Sequence, residues 1–455
     1  MNFSIFYFFL FVLFLQCSIT NASFEPQVRN FHSSVYVENK LYILGGYNKG
    51  PLDTLFYLDL SVPFHKDHPP WFYLGYHGIP FGVFKAAACF GGINNSTIFL
   101  IGGERSEKEI NYVYSFDTKS FMWNDSLIND KNTPEWHVDI QGVTDRNGKI
   151  YIYGGWLSGI RSNKLSIFDS LKLSWGTGPS PDSQHGRYGH TITLLSNGII
   201  VIIGGYVEGG GGLYEILLYD INENNWSSMI TQGIKLSDRV YHTAVSTTDG
   251  RIIVYGGTKN NLDPDLVVLD TSSQPFKWST LEVNAINGPP SLYGHSANIV
   301  GDYMILAFGI TPQSGEYNRY IYLMDLKNYT WITDFHPEKD IITKTVTTTS
   351  VVTTTNEITT TDKMTTTITN ILTTTTTEVS IITEIPEPPK VPEPPVKSNK
   401  YFISKGMIFQ LLCESAVIFF ILRENLTQKH ISTYFFILAI YILFVFTFNL
   451  MLFFK

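Results

Sequence analysis

Leu41-Tyr42-Ile43-Leu44-Gly45-Gly46 is an apolar run of strand length that stops at two glycines. The same device returns four more times. Thr97-Ile98-Phe99-Leu100-Ile101 precedes Gly102-Gly103, and Ile150-Tyr151-Ile152-Tyr153 precedes Gly154-Gly155. Ile199-Ile200-Val201-Ile202-Ile203 precedes Gly204-Gly205, and Ile252-Ile253-Val254-Tyr255 precedes Gly256-Gly257. A worn sixth copy, Tyr303-Met304-Ile305-Leu306-Ala307-Phe308-Gly309, keeps one glycine. Successive copies are 57, 52, 50, 52 and 52 residues apart (45 to 102, 154, 204, 256 and 308). Self-similarity at such a period marks a repeat architecture and outranks local readings.

Each copy has two partners downstream. An aspartate closes a short apolar run: Asp59, Asp117, Asp169, Asp220, Asp270 and Asp325. A tryptophan follows: Trp71, Trp123, Trp175, Trp226, Trp278 and Trp331. A further strand lies upstream of the glycines, marked in later copies by His190, His242 and His295. One unit therefore holds four strand-length runs separated by turn residues. The run before the glycines is almost all Ile, Val, Tyr and Leu, which suits a strand buried on both faces. Two glycines let the backbone turn and lie close to the next unit. The tryptophan carries more apolar area than one small sheet can bury alone.

These residues resemble the kelch repeat, with its glycine pair, spaced aromatic and tryptophan in each four-stranded blade. The resemblance spans roughly residues 30 to 334 and implies an all-β, six-bladed propeller closed radially. Repeats fall near 30–75, 82–127, 137–178, 187–229, 239–281 and 292–334 within a propeller of residues 23–340. The first copy departs from the pattern by an insertion between Asp59 and Trp71, and the sixth by its lost glycine.

With 455 residues the chain has room for more than one module. A net charge of −8 argues against a nucleic-acid partner. Ile5 to Leu15 is apolar but short for a span, and Thr20-Asn21-Ala22 offers small residues for cleavage. Residues 1–22 read as a secretory signal peptide, although no Lys or Arg precedes the apolar run. Of the three cysteines, Cys89 alone falls in the propeller, so no disulfide forms within it. In an exported chain, Asn94, Asn95, Asn124, Asn225 and Asn328 are sequon asparagines and candidate glycan acceptors.

Residues 341–400 are rich in threonine and then proline and read as a disordered, O-glycosylated stalk. Residues 433–454 are apolar over about one hydrocarbon thickness and are expected to form a C-terminal transmembrane helix. Residues 401–422 form a second possible span, weakened by Gln410 and Glu414. With two spans, Arg423, Lys429 and His430 face the cytoplasm, as orientation rules prefer. A single span and a glycolipid anchor are the alternatives. The sequence thus places the propeller outside the cytoplasm, at the cell surface or in a lumen.

Antiparallel order sorts the connections onto two faces. One carries short turns such as Glu38-Asn39-Lys40 and Ser196-Asn197-Gly198. The other carries long, varied loops, where binding on a rigid scaffold is expected. Arg105, Trp156, Arg161, Arg187, Tyr188, Tyr206, Arg239, Tyr241 and Tyr293 fall there. Arginine and aromatic residues suit a protein or carbohydrate ligand, with no cofactor. Recurrence of Arg187 and Arg239 at one repeat position also fits a structural need of the repeat, as does that of the histidines. Tyr241-His242 resembles the adjacent copper-ligand pair of galactose oxidase-like enzymes, with His295 as a second imidazole. That family also needs a cysteine linked to a tyrosine and an extra sandwich domain, which this sequence does not offer. A kelch-type sugar isomerase, needing no metal, is a further alternative.

Overall fold

The computed structural model describes residues 24–106, 111–124, 132–182, 185–208, 213–258 and 264–337, and the backbone of 343–359 and 365–381. The chain divides into two compact units, Met1–Lys339 and Asp340–Lys455.

The first unit is a six-bladed propeller. Each blade is built on a four-stranded antiparallel sheet drawn from one repeat, its strands in chain order from axis to rim, and in the fifth blade Gln232–Gly233 adds a short parallel strand at the rim. The innermost strands are Ser33–Val37, Ala87–Gly91, Gln141–Thr144, Thr191–Leu194, Thr243–Ser246 and Ser296–Val300. Each touches its two neighbours, and Ser296–Val300 returns to Ser33–Val37, so the ring is closed. The second strands, such as Ile199–Ile203 and Arg251–Tyr255, are buried throughout except at their first residue, as their apolar runs require.

Apolar packing explains why no blade stands alone. The core is six separate clusters, one at each blade–blade seam. Across the closing seam, Leu41, Ile43 and Phe56 of blade 1 meet Ile305, Ala307 and Ile321 of blade 6. The repeat tryptophans join this packing: Trp123 Nε1 donates to the His77 carbonyl at 2.9 Å and Trp226 Nε1 to the Pro179 carbonyl at 2.7 Å, each in the connection that follows the preceding repeat.

The second glycine of every pair stitches one blade to the next through its backbone. Gly46, Gly103, Gly155, Gly205, Gly257 and Gly309 donate N–H to the carbonyls of Val83, His137, Arg187, Arg239, Leu292 and Arg29 at 2.8–3.1 Å. Gly309 to Arg29 closes the circle. The first glycine has no room for a side chain: a Cβ on Gly204 would lie 2.5 Å from the His242 ring of the next blade. In the sixth copy Phe308 holds the left-handed conformation (φ 58°) without glycine. It is fully buried against Phe56, Trp71 and the Arg29 guanidinium, contacts that offset the backbone strain. Each repeat aspartate caps its third-to-fourth turn, as where Asp169 Oδ1 accepts from the Leu171 and Lys172 amides.

The insertion in the first repeat has a structural role. Phe64–His65 pairs antiparallel with Asp334–Phe335, which follows the last blade. Phe64 stacks on Phe335 at 5.0 Å, and Lys66 N–H donates to the Thr333 carbonyl at 2.7 Å. This clasp ties the two ends of the ring at the rim.

Within the segment expected as a disordered stalk, Thr343–Thr359 and Thr365–Ile381 pair as one antiparallel ladder. β-branched threonine and valine favour extended backbone, which is the physical reason for the difference. The expected signal peptide (1–22), the proline run and the apolar segments 401–422 and 433–454 lie outside the described residues. No helix among the described residues is long and apolar enough to cross a membrane.

Candidate functional site

The residue two positions before each inner strand repeats a conformation rather than a residue type. Phe31, Lys85, Asp139, Gly189, Tyr241 and Gly294 all have φ between 51° and 64°. Four are not glycine, and each bears a backbone cost that persists only where the surroundings enforce it. Phe31 N–H donates to the Gly294 carbonyl, Lys85 to Phe31, Asp139 to Lys85, Tyr241 to Gly189 and Gly294 to Tyr241, all at 2.8–3.0 Å. This backbone ring encircles the axis on the long-loop face.

Its side chains gather at the mouth of the channel. Lys85 Nζ lies 2.9 Å from Asp139 Oδ2 and 3.4 Å from the Tyr241 hydroxyl. The Lys85 ammonium also sits 5.0 Å from the Phe31 ring centre and 5.2 Å from that of Tyr241. Burial raises the Asp139 carboxyl above the usual range, and the facing Lys85 charge opposes that shift. Burial pushes the Tyr241 phenol well up, with Asp139 adding to it.

Aromatic residues extend outward from this plug. Tyr188 lies 6.4 Å from Tyr241, stacks on Tyr206 at 5.4 Å and meets Trp156 edge-on at 5.1 Å. Tyr293 continues on the other side through Phe31. Trp156–Leu157 and Ile160–Arg161 form a tight hairpin across Ser158 and Gly159, both at positive φ. It carries Arg161 over the Tyr206 ring, with its Nη2 2.6 Å from Glu208 Oε2. Tyr206 is 48% exposed and Ile160 68%. Of the expected face residues, Trp156, Arg161, Tyr188, Tyr206, Tyr241 and Tyr293 therefore stand together.

The other three arginines are corrected by the structure. Arg187 and Arg239 are buried, and their Nη1 groups donate to the Gly204 and Gly256 carbonyls at 3.1 and 3.3 Å. Arg29 does the same for Gly45 at 2.7 Å. Burial pulls the Arg239 guanidinium down to about 10 and that of Arg29 to about 9, so both remain charged at neutral pH. Arg105 is stacked between Phe81 and Trp136, each 4.4 Å away, and donates to the Asn111 carbonyl. These side chains hold loops rather than face solvent.

Three of the histidines form seam bonds. His242 Nε2 meets Thr191 Oγ1 at 3.3 Å, His295 Nε2 meets Thr243 Oγ1 at 2.9 Å, and His32 Nε2 meets Ser296 Oγ at 2.8 Å. Each reaches the hydroxyl that leads the preceding blade. Tyr241 and His242 thus turn to different partners, and Cys89 is buried among core residues of blades 2 and 3. The residues do not fit the copper-radical constellation. Among the described residues no group of three or more His, Cys, Asp or Glu could hold a metal ion.

Sequence reasoning missed Phe31, Lys85, Asp139 and His32. The signal was available: reading the position before His242 in every repeat gives the axial set directly. The five sequon asparagines are all exposed, and Asn94, Asn95, Asn225 and Asn328 lie on or beside short-face turns.

Residues 32–208 and 189–393 match the KLHDC2/KLHL20/DRC7 Kelch-repeats domain. The chain belongs to the kelch-repeat family. Kelch-repeat relatives include Adagio-like protein 3 of Oryza sativa subsp. japonica, 27% identical over 303 residues, which cover 63% of this chain and 46% of that protein. Adagio protein 3 of Arabidopsis thaliana is 27% identical over 307 residues, 63% of this chain and 47% of that protein. Kelch domain-containing protein 2 of Bos taurus is 25% identical over 257 residues, 50% of this chain and 61% of that protein. The chain spans about half the length of the Adagio proteins it matches. Kelch-repeat propellers are typically protein-interaction modules.

Proposed function

We propose that this kelch-repeat propeller is an exported, membrane-held recognition module whose long-loop face binds a protein partner. The observation that carries this reading is the aromatic ladder Trp156–Tyr188–Tyr206, flanked by Arg161 and continued to the axis by Tyr241. Rigid aromatic and arginine side chains on a fixed scaffold are the usual anchors of protein interfaces. The apolar segments at both ends of the chain support the exported placement. Sequons on the short-turn side fit glycans that leave the aromatic face clear.

The test is affinity purification of the full-length chain and of a Tyr188→Ala/Tyr206→Ala variant from the same membranes. A protein held by the wild type is expected to bind the variant at least about 30-fold more weakly, each aromatic anchor contributing on the order of 2 kcal/mol. Equal retention by both chains would place the interface elsewhere.

A further inference from the structure

The axial ring is complete at five of its six steps. No hydrogen bond joins the Gly189 N–H to the Asp139 carbonyl among the described residues, whereas every other step is bonded. Blades 2 and 3 carry Ala86 and Ile140 where the other four carry histidine, and among those four the histidine stitch fails at this same place. His190 heads blade 4 and is 2% exposed, yet neither imidazole nitrogen makes a hydrogen bond; the Tyr153 carbonyl only approaches it. Its counterparts reach a Ser or Thr hydroxyl, but the lead residue of blade 3 is Gln141, which is exposed and lines the channel. Two independent gaps therefore coincide at the seam between blades 3 and 4. The axial cavity of about 80 Å³ reaches this seam: Asp139, Gln141, Gly189 and His190 form one side of its wall, and residues of the other four blades, such as Phe31, Lys85, Tyr241 and His295, form the rest. The aromatic ladder stands on the same two blades.

The empty positions define a chemistry. One amide donor, one carbonyl acceptor and one neutral imidazole are left over, while the nearby charges Lys85 and Asp139 already satisfy each other. A planar primary amide offers a carbonyl for the donor and two N–H groups for the acceptor and the imidazole. The cavity holds about three water volumes, enough for an amide-bearing side-chain tip. We infer that the seam between blades 3 and 4 is a subsite for the side-chain carboxamide of an Asn or Gln presented by the partner polypeptide. The inference rests on the protein-binding reading of this face.

Residue-resolved hydrogen–deuterium exchange on the full-length chain tests it. In the free protein the Gly189 amide should exchange about tenfold or more faster than those of Phe31, Lys85, Asp139, Tyr241 and Gly294. N-acetylglutamine amide should slow it at concentrations of the order of 1 mM or above, as expected for so small a ligand. N-acetylglutamate amide, of the same shape but charged, should not. The Gln141→Thr variant restores the hydroxyl found at the other histidine seams, and should fold and lose the glutamine effect. A Gly189 amide already as slow as its five counterparts would overturn the subsite, as would equal protection by both probes or an unchanged glutamine effect in Gln141→Thr. If only these measurements fail while Tyr188→Ala/Tyr206→Ala still loses its partner, the face stands without the subsite. Failure of both removes the face as well.

Discussion

The propeller should lose stability steeply as pH falls below about 6.5, before ordinary carboxylates titrate. Burial holds His190 and His295 neutral, pulling both down to about 3, and drives His32 and His242 in the same direction. An imidazole whose folded-state pKa is depressed stays unprotonated in the fold but takes a proton when unfolded. Its contribution is thus fully present above the unfolded pKa near 6.5 and is lost as pH falls toward 3. Each group costs about 1.4 kcal/mol per pH unit in that window. Between pH 7.5 and 5, His190 and His295 alone remove about 4 kcal/mol, a large part of a typical folding free energy. Aspartates with depressed pKa values, such as Asp169 and Asp249, act only nearer pH 4, and Asp139, whose carboxyl burial raises, takes up its proton more readily in the fold and opposes the loss, so a net fall in this window reports the imidazoles. Urea unfolding of the full-length chain at pH 7.5 and pH 5 checks it. Equal midpoints would mean that the seam imidazoles are hydrated or already charged.

Opening the clasp is the second large effect. Phe335 is 1% exposed, stacks on Phe64 and lies 5.0 Å from Tyr303. Phe335→Ala removes a buried ring that joins the end of the last repeat to the insertion in the first. A cost of about 3–5 kcal/mol is expected from the lost burial and the cavity left behind. The loss should be uneven, because blades 1 and 6 meet only across the closing seam. Exchange protection should fall first at Ser33–Val37 and Ser296–Val300 and last in blades 3 and 4. Uniform loss across the six blades would show that closure rests on the inner-strand contacts alone.

The repeat was legible because it is written in residue types. Glycine pairs, aspartates and tryptophans each meet a need that few other residues meet, and they recur at a near-constant step. The axial ring was not, because it is written in backbone conformation. Phe31, Lys85, Asp139 and Tyr241 share a left-handed φ and nothing else, so no shared residue type marks them. The clasp hid for another reason: two residues, Phe64 and His65, pair with two others some 270 positions away (65 to 334), and so short a ladder has no period to detect. Arg187 and Arg239 were visible as recurring residues, but solvent exposure does not follow from recurrence. Burial against the glycine carbonyls of their own blades separates them from Arg161, which the Trp156 hairpin lifts onto the face.

The central claim is that partners are recognised by the long-loop face. It is tested most directly by placing a photo-crosslinking benzoylphenylalanine at Tyr206 on that face, or at Glu223 on a short turn of the same blade, in the full-length chain in the cells that produce it. Both positions are exposed, so neither substitution disturbs the core. Irradiation is expected to yield a discrete protein adduct from position 206 and none from position 223. Adducts from position 223 alone would contradict the account.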